Sequence, residues 1–359
     1  MEYRQLGRTG LEVGVIGLGT EHLLRQRETM DEVLRTAVEA GVNYVDLLYI
    51  EATGSDADFW DNFGPVLRPH RHQLVLAAHW GSGGARYELD YCQRCFEAVL
   101  ACLGNDYADV AILTMVDEQK KWDGWAQKSI EHLRRYQERG HLGYIGLSGH
   151  EVPIALQAVN SGLIDVLMFG INMLRHGEEE KALIQACVDR GVGLVVMKPY
   201  FGGTLLFVDG QPTPITPVQC LAYVLSLPVS TTVPGVKNAA EMRATLRYGT
   251  ATEAEKDYRP ALANVHEYLE GHCVYCNHCL PCPQDINIAT TILSTDWAQG
   301  GLNDELRAAY ASLPVKASAC TECGDCLARC PFDVDVIARM HQAVEVFEAS
   351  IAEQRISHE

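Results

Sequence analysis

The apolar positions of the chain fall into short continuous runs at fairly even intervals. Eight runs rich in aliphatic and β-branched residues lie at 13–19, 42–47, 73–79, 109–115, 144–148, 165–171, 192–198 and 230–235. Continuous rather than alternating apolar runs are typical of strands buried on both faces of a parallel sheet. Between them, apolar residues at helical spacing predict helices at 29–41, 91–104 and 179–191, each ending at a glycine.

Alternating strands and helices are compatible with two α/β architectures. Eight strand–helix units fit a (β/α)8 TIM barrel of about 250 residues. The competitor is a doubly wound open sheet, which in its dinucleotide-binding form carries G-x-G-x-x-G after the first strand. The segment VIGLGTEHLL (15–24) lacks the third glycine of that pattern. We therefore predict the barrel.

In such a barrel the chemistry sits at the carboxyl ends of the strands. Polar residues and one glycine stand at or just after the predicted strand ends: Glu21, His22, Asp46, Tyr49, Glu51, His79, Thr114, Ser148, His150, Asn172, Lys198, Tyr200, Gly235 and Lys237. Any one of them can instead cap a helix or satisfy a backbone group. The set as a whole favours a functional, histidine-rich mouth.

Composition narrows the possible partners. The formal net charge is -18, with 47 acidic against 29 basic residues and no basic stripe, which argues against nucleic acid or an anionic membrane surface. No apolar run reaches the ~20 residues of a membrane span, and MEYRQLGRTG lacks the apolar core of a signal peptide. We therefore expect a cytoplasmic protein, whose 13 cysteines are reduced and either bind metal or lie buried.

Eight of the cysteines form two groups near the carboxyl terminus. CTECGDCLARCP (320–331) has the spacing C-x2-C-x2-C-x3-C-P, which holds iron–sulfur clusters. CVYCNHCLPCP (273–283) is one residue shorter before its last cysteine. The predicted ligands are Cys273, Cys276, Cys279, Cys282, Cys320, Cys323, Cys326 and Cys330. Structural zinc sites are the alternative, but two four-cysteine runs, each followed by proline, favour two [4Fe-4S] clusters.

The paired motifs resemble the two-cluster domain of ferredoxins. In such pairs the fourth cysteine usually ligates the other cluster, which implies that Cys330 completes the set begun by Cys273 and that Cys282 completes the set begun by Cys320. Residues 289–313 and 333–354 have helical patterns. We therefore predict a helical ferredoxin-like domain over 256–359, after a barrel over 1–255. Cys92, Cys95, Cys102, Cys187 and Cys220 fall in apolar helical patterns and are predicted to be core residues.

Five segments, in order, resemble signature segments of the aldo-keto reductase superfamily: YRQLGRTGLEVGVIGLGT, AGVNYVD, IGLSGH, MKPYFGGTLL and VPGVKNAAEM. The resemblance covers about residues 1–250. Together with the cysteine motifs, it extends to the subgroup in which a ferredoxin-like module is fused to the barrel. It implies a barrel plugged at its amino-terminal end by an opening hairpin, with nicotinamide cofactor, NAD(P), bound across the mouth.

The catalytic Asp, Tyr, Lys and His of that family are only partly present. Asp46 matches, but Glu51 stands where Tyr is expected, with Tyr49 two residues earlier. His79 occupies the Lys position and Thr114 the His position. Tyr49 and His79 are the predicted proton donors, because a histidine can supply a proton near neutral pH without an activating lysine. Asp46 is expected to orient or charge-balance His79.

The remaining site predictions concern His150 and the cofactor. His150 is the fourth candidate catalytic residue. The candidate cofactor-binding residues are Ser148, Asn172, Lys198, Gly235 and Lys237, of which the last two fall where the family holds phosphate. The Glu-Asn pair that meets adenine in the family corresponds to Ala244 and Thr245. Nicotinamide binding is therefore left open.

Two classes of function remain. The first is an oxidoreductase in which the clusters pass electrons to or from a small carbonyl or hydroxyl compound at the mouth, with a ferredoxin or a flavoprotein as the redox partner. The second is a barrel without catalysis that serves as a docking body for an electron-transfer module. Loss of the aligned Lys, His and Tyr motivates the second class, and the histidine-rich mouth favours the first.

Overall fold

The computed structural model describes residues 1–23, 26–48, 56–81, 87–104, 106–208 and 210–349, with the backbone alone at 56–60 and 305. The chain forms two compact units. The first comprises Met1–Leu206 and Ile215–Pro260, and the second comprises Phe207–Pro214 and Ala261–Glu359.

The first unit opens with an antiparallel hairpin of β1 (Tyr3–Gln5) and β2 (Glu12–Gly14). Its Leu6 and Val13 are fully buried in one cluster with residues of the barrel strands such as Val75 and Val166. Close backbone approach requires glycine here, since a Cβ on Gly7 would lie 2.3 Å from the backbone nitrogen of Gly193. The hairpin implied by the family resemblance therefore packs into the barrel core.

Eight parallel strands of the described chain form a sheet whose order follows the sequence. They are β3 (Leu18–Gly19), β4 (Tyr44–Leu47), β5 (Val75–Trp80), β6 (Ala108–Leu113), β7 (Leu142–Gly149), β8 (Val166–Gly170), β9 (Gly193–Met197) and β12 (Thr231–Val233), and between the last two β10 (Phe207–Val208) pairs with β11 (Gln211–Pro212). Parallel bridges Ile16↔Thr232 and Gly19↔Gly235 join the two ends of the sheet. The sheet is a nearly closed (β/α)8 barrel.

Helices follow most of the strands. Apolar side chains recur on one face of each helix, and this face is buried. In α1, for example, Met30, Val33, Leu34 and Ala37 are buried. The helices of this unit are α1 (Arg27–Glu39), α2 (Asp56–Leu67), α3 (Leu89–Leu103), α4 (Gln119–Lys121), α5 (Gln127–Glu138), α6 (Val152–Ser161), α7 (Glu178–Arg190), α8 (Pro217–Leu225), α9 (Ala239–Leu246) and α10 (Glu253–Lys256). α11 (Arg259–Tyr268) begins at the end of this unit.

The second unit is mainly helical. After α11 it contains α12 (Ile288–Ala298), α13 (Asp304–Ser312), α14 (Asp325–Arg329) and α15 (Val336–Phe347). α12 packs against α15, and Ile292 and Met340 are among the residues buried in this unit. The first cysteine motif lies in a loop, and the second runs through α14, which contains Cys326.

All eight predicted strands are confirmed, and the three predicted helices begin and end within two residues of the observed ones. The segments 289–313 and 333–354 are helical at α12, α13 and α15. In the part of the chain that the structure describes, no helix is long and apolar enough to span a bilayer.

Candidate functional site at the barrel mouth and in the cysteine loops

A buried carboxylate–histidine pair lies at the carboxyl ends of neighbouring strands. Asp46 in β4 places Oδ1 3.0 Å from His79 Nε2 in β5. The other ring nitrogen, Nδ1, lies 3.1 Å from the hydroxyl of Thr114, which follows β6 directly. The side chains of His79 and Asp46 are only 2% and 7% exposed. The structure thus brings three predicted positions together in one sealed network.

Hydrogen bonds extend this network to two backbone carbonyl oxygens. The Thr114 hydroxyl lies 3.1 Å from the carbonyl oxygen of Trp80 and 3.2 Å from that of Gly81, and carbonyl oxygens can only accept. The donor in the Thr114–His79 contact depends on the tautomer of the ring, and the same tautomer decides the donor between Nε2 and Asp46. Both ring nitrogens are therefore engaged within the protein.

Tyr49 and Glu51 lie outside the residues that the structure describes. The role of Tyr49 as a proton donor therefore stays a prediction.

A second pair lies at the mouth between the loop after β6 and the end of β7. His150 Nδ1 is 3.0 Å from Asp117 Oδ2, and the backbone N–H of His150 donates to Asp117 Oδ1. On the other side of the ring, Nε2 is 3.1 Å from Nζ of Lys198, which follows β9. Asp117 and His150 are half-buried and the Lys198 side chain is exposed. The chain Asp117–His150–Lys198 thus runs from a partly buried carboxylate to an open amine.

The pKa values follow these surroundings. Burial raises the pKa of Asp117, but the hydrogen bonds and charge of His150, with the charge of Lys121, outweigh burial and lower it overall. Neighbouring protein groups partly desolvate the amine and lower the pKa of Lys198, although its side chain reaches solvent, while the nearby carboxylates of Glu21 and Asp117 oppose that decrease. The carboxylate is therefore held ionised, and the amine gives up its proton more easily than an ordinary lysine.

Lys121 lies between the two pairs. Its Nζ donates to the carbonyl oxygens of Thr114, at 3.2 Å, and Met115, and lies 3.4 Å from the centre of the Tyr87 ring. Burial lowers the pKa of Lys121 to about 8, although Asp117 and Glu118 act in the opposite direction.

Ser148 and Asn172, predicted to bind cofactor, are buried with their polar atoms engaged. The Ser148 hydroxyl accepts from the backbone N–H of Met115 at 3.0 Å. The Asn172 side chain donates to the carbonyl oxygen of Lys198 at 3.1 Å and accepts from the N–H of Leu174 at 3.0 Å. These residues have the expected types and lie at the mouth, where they hold its loops.

The predicted phosphate segment precedes α9. A Cβ on Gly235 would lie 2.9 Å from the His22 ring, so glycine keeps this approach open. The backbone N–H of Lys237 already donates to the Glu241 carboxylate at 2.8 Å. At the adenine position, Thr245 hydrogen-bonds the buried Tyr200 hydroxyl at 3.0 Å. A phosphate bound here would compete with a carboxylate of α9.

In the second unit, the eight motif cysteines line two pockets. The first is lined by Cys273, Cys276, Cys279 and Cys330. The second is lined by Cys282, Cys320, Cys323 and Cys326. Among the described residues, no three His, Cys, Asp or Glu side chains gather closely enough to hold a single metal ion. Each pocket thus combines three cysteines of one motif with the last cysteine of the other.

The two cysteine loops are also joined directly. Arg329 in α14 donates to the carbonyl oxygen of Pro281 at 2.6 Å and to that of Cys279 at 3.4 Å. Val336 in α15 lines both pockets. The two motifs are therefore held next to each other by hydrogen bonds of a side chain as well as by packing.

Of the five other cysteines, Cys92, Cys102, Cys187 and Cys220 are buried. Burial raises the pKa of the Cys187 and Cys220 thiols to about 12, which makes them unreactive. Their prediction as core residues is confirmed.

Sequence reasoning missed Asp117 and Lys121. Asp117 lies four residues beyond β6, further along the chain than the predicted strand-end residues, and only the fold of the loop returns it to His150. Lys121 lies in α4 and was not among the predicted strand-end residues. A carboxylate in a loop after a barrel strand was the available signal for Asp117.

Known proteins share the barrel. A solved aldo-keto reductase from Bacillus halodurans, in its holo form, superimposes with a TM-score of 0.60 at 20% identity and covers 73% of this chain and 96% of that one. At this identity the likeness shows the fold alone. An L-glyceraldehyde 3-phosphate reductase of Escherichia coli (strain K12) is 24% identical over 237 residues, which cover 59% of this chain and 66% of that protein.

A third relative is an uncharacterized oxidoreductase, YqkF, of Bacillus subtilis (strain 168), which is 25% identical over 215 residues. That match covers 55% of this chain and 68% of the relative. The profile of the Aldo/keto reductase family matches residues 13–217, more than half of the 359 residues. Barrel, opening hairpin and sequence profile agree, and the chain belongs to the aldo/keto reductase family.

Proposed function

We propose that the protein is an iron–sulfur oxidoreductase. In this proposal two [4Fe-4S] clusters in a ferredoxin-like domain, residues 256–359, exchange electrons with a reaction on a small carbonyl or hydroxyl compound at the mouth of the barrel, residues 1–255. The observation that carries it is the lining of the two cysteine pockets, each with three thiols of one motif and the fourth of the other.

The donor set suits clusters better than single ions. In a [4Fe-4S] cluster each of the four thiolates binds its own iron atom, so the sulfurs surround a body instead of converging on one point. Four thiols line each pocket, which supports the assignment of one cluster to each. When bound, the clusters supply and accept single electrons. Cys273, Cys276, Cys279 and Cys330 would hold one, and Cys282, Cys320, Cys323 and Cys326 the other.

The barrel half of the proposal rests on family membership and on the polar mouth. Ser148 and Asn172 would hold the nicotinamide end of NAD(P), which supplies hydride when bound. Lys198 and Lys237 are its proposed cationic contacts. Asp46 holds the His79 ring through Nε2, which supports its expected role of orienting that histidine. A ferredoxin or a flavoprotein is the proposed redox partner.

One observation favours the second function class, a barrel that serves only as a docking body. The His79 ring is nearly sealed from solvent and both its nitrogens bond within the protein. A barrel that has lost its reaction can keep such a network for stability alone. The hydrogen-bonded series Asp117–His150–Lys198, which ends at an exposed amine, supports the catalytic proposal instead.

The cluster assignment is tested by cysteine protection. Anaerobic reconstitution of the full chain is expected to give about eight iron and eight sulfide per chain. In the variant Cys330→Ser, iodoacetamide should then alkylate Cys273, Cys276 and Cys279 while the other set stays protected. In Cys282→Ser the protected and alkylated sets should exchange. Cys95→Ser, outside both motifs, is the control and should retain full iron content.

Contrary outcomes are equally distinct. If Cys330→Ser exposes Cys320, Cys323 and Cys326, each motif holds its own cluster and the exchanged arrangement is wrong. If metal analysis finds zinc and no sulfide, the redox proposal fails. For the barrel, NADPH added to the reconstituted protein should bleach the cluster absorption. Absence of both nicotinamide binding and bleaching would favour the docking body.

A further inference from the structure

We propose that Lys198 delivers the proton to the substrate oxygen at the barrel mouth and that His150 and Asp117 position it. This rests on the carbonyl chemistry proposed above. It gives Lys198 a role beyond holding cofactor, and it adds Asp117 to the site.

Exposure separates this lysine from the buried histidine. His79 is almost fully covered and bonds through both ring nitrogens, so it offers no free position to a substrate. The Lys198 side chain is exposed at the carboxyl end of β9, where barrel substrates bind. Its backbone adopts φ 56°, a left-handed conformation that is uncommon for a residue other than glycine. Such outliers cluster at functional sites.

The hydrogen bonds show that Lys198 and His150 share one proton. The Asp117 carboxylate accepts from His150 Nδ1–H, at 3.0 Å. A single proton then fits between His150 Nε2 and Lys198 Nζ, 3.1 Å apart, because two would set donor against donor. The ammonium donates to a neutral ring, or an imidazolium donates to a neutral amine. Lys198, the outer member of the pair, is exposed and open to substrate.

Charged groups around the pair come from several strand ends. Glu21, after β3, and Asp117, after β6, favour the protonated amine, while Arg175, after β8, disfavours it. Arg175 itself bonds to Glu180 at 3.2 Å and to the carbonyl oxygen of His150. Beyond them, Lys121 acts on Asp117, and His22 lies 3.9 Å from Glu21. The charges around the Lys198 amine thus act in opposite directions, and the surrounding protein partly desolvates it. Such an amine is suited to giving up a proton.

Atoms and electrons balance in this step. Reduction of a carbonyl adds a hydride, which a reduced nicotinamide supplies, to carbon and a proton to oxygen. The N–H bond of the Lys198 ammonium breaks, the O–H bond of the alcohol forms, and Lys198 is left as a neutral amine. A proton from solvent restores the ammonium. In the direction of alcohol oxidation the amine accepts the same proton.

The decisive variant is Lys198→Arg. Arginine keeps the positive charge but does not release its proton, so it separates charge from acid catalysis. With glyceraldehyde as the probe substrate and NADPH as reductant, kcat should fall about 100-fold or more, the usual contribution of a general acid. The Kd for NADPH, measured by tryptophan fluorescence, should stay within about twofold. Lys181→Met, on the outer surface of α7, is the control and should match the wild type.

Two positioning variants sharpen the test. His150→Asn and Asp117→Asn should lower kcat with little change in KM and should shift the pH profile of kcat. A Lys198→Arg enzyme with wild-type kcat would overturn the proposal. A loss confined to NADPH affinity would overturn it as well, because Lys198 would then serve only to bind cofactor.

A measurement without turnover separates this inference from the proposed function. Competitive acetylation of the reconstituted protein with acetic anhydride, followed by mass spectrometry, reports when each lysine becomes a free amine. Lys198 should react at lower pH than Lys181, and Asp117→Asn should move it lower still. Identical titration of the two lysines would contradict the inference. If Lys198 titrates as expected but the protein reduces no carbonyl compound, the proposed function fails. The inference then fails as well, because no substrate oxygen receives the proton of Lys198.

Discussion

Two carboxylate–histidine pairs lie at the strand ends of this barrel, and their surroundings differ. Asp46 and His79 are 7% and 2% exposed, and Thr114 closes the far side of the ring. Asp117 and His150 are 30% and 25% exposed, and the far side of that ring meets Lys198. The same chemical pair can thus serve different ends. A sealed pair resists protons from solvent and fixes neighbouring strands, whereas an open pair can exchange protons with a ligand.

Lys121 connects the two regions, since it donates to the Thr114 carbonyl and its charge acts on Asp117. A substitution in either pair is therefore expected to alter the surroundings of Lys121. The following variants test whether sealing or openness decides what each pair does.

The largest expected effect is on stability at the sealed pair. Asp46→Ala removes the carboxylate and leaves His79 buried without its partner, which should lower the free energy of unfolding by about 3–5 kcal/mol. Asp117→Ala is the matched variant in the open pair and should lower it by about 1 kcal/mol or less. Urea unfolding of the barrel, followed by circular dichroism, measures both. Equal losses of unfolding free energy would show that the difference in burial does not change what each pair contributes to stability.

A smaller loss is expected at the third member of the sealed network. Thr114→Val keeps the side-chain volume but removes the hydroxyl that His79 Nδ1 contacts, so a buried ring nitrogen loses its hydrogen-bond partner. The free energy of unfolding should fall by about 1–3 kcal/mol. Thr114→Ser, which keeps the hydroxyl, serves as control and should lose less. The reverse order of the two variants would contradict the assigned hydrogen bond.

The smallest effect should appear as pH dependence at Lys121. Its folded pKa of about 8 lies below the ordinary 10.5, so above pH 8 the unfolded chain binds more protons and stability rises with pH up to 10.5. Below pH 8 the buried charge costs on the order of 1 kcal/mol after solvent screening. The difference in unfolding free energy between the wild type and Lys121→Met should change by this amount between pH 7 and about 10.5, in favour of the wild type at high pH. Parallel curves would exclude a depressed pKa.

Much of the barrel could be predicted because strand burial determines composition. Runs such as VNYVDL and VGLVVMK are continuously apolar, since helices cover one face of each strand and the barrel core covers the other. The same runs placed Asp46, His79, Ser148 and Lys198 at their ends, where the structure has them. The pairing of Asp46 with His79 was expected from the family resemblance, because His79 occupies the position of the lysine that pairs with the aspartate.

The roles of these residues were less predictable. Whether His79 faces the mouth or the core depends on Thr114 and two carbonyl oxygens, which no local pattern reveals. The Asp117–His150 contact joins residues 33 apart through a loop whose course has no periodicity. The contact of the Glu241 carboxylate with the predicted phosphate segment could not be predicted either, because helix capping depends on side-chain rotamers.

By itself the sequence determined the order of strands and helices, the family and the grouping of eight cysteines, because these depend on periodicity and spacing along the chain. Only the tertiary structure decided which side chains meet at the barrel mouth: one histidine is sealed and the other is open to Lys198. The physical reason is that burial and hydrogen bonding depend on groups distant in sequence, whose approach is set by packing of the whole unit.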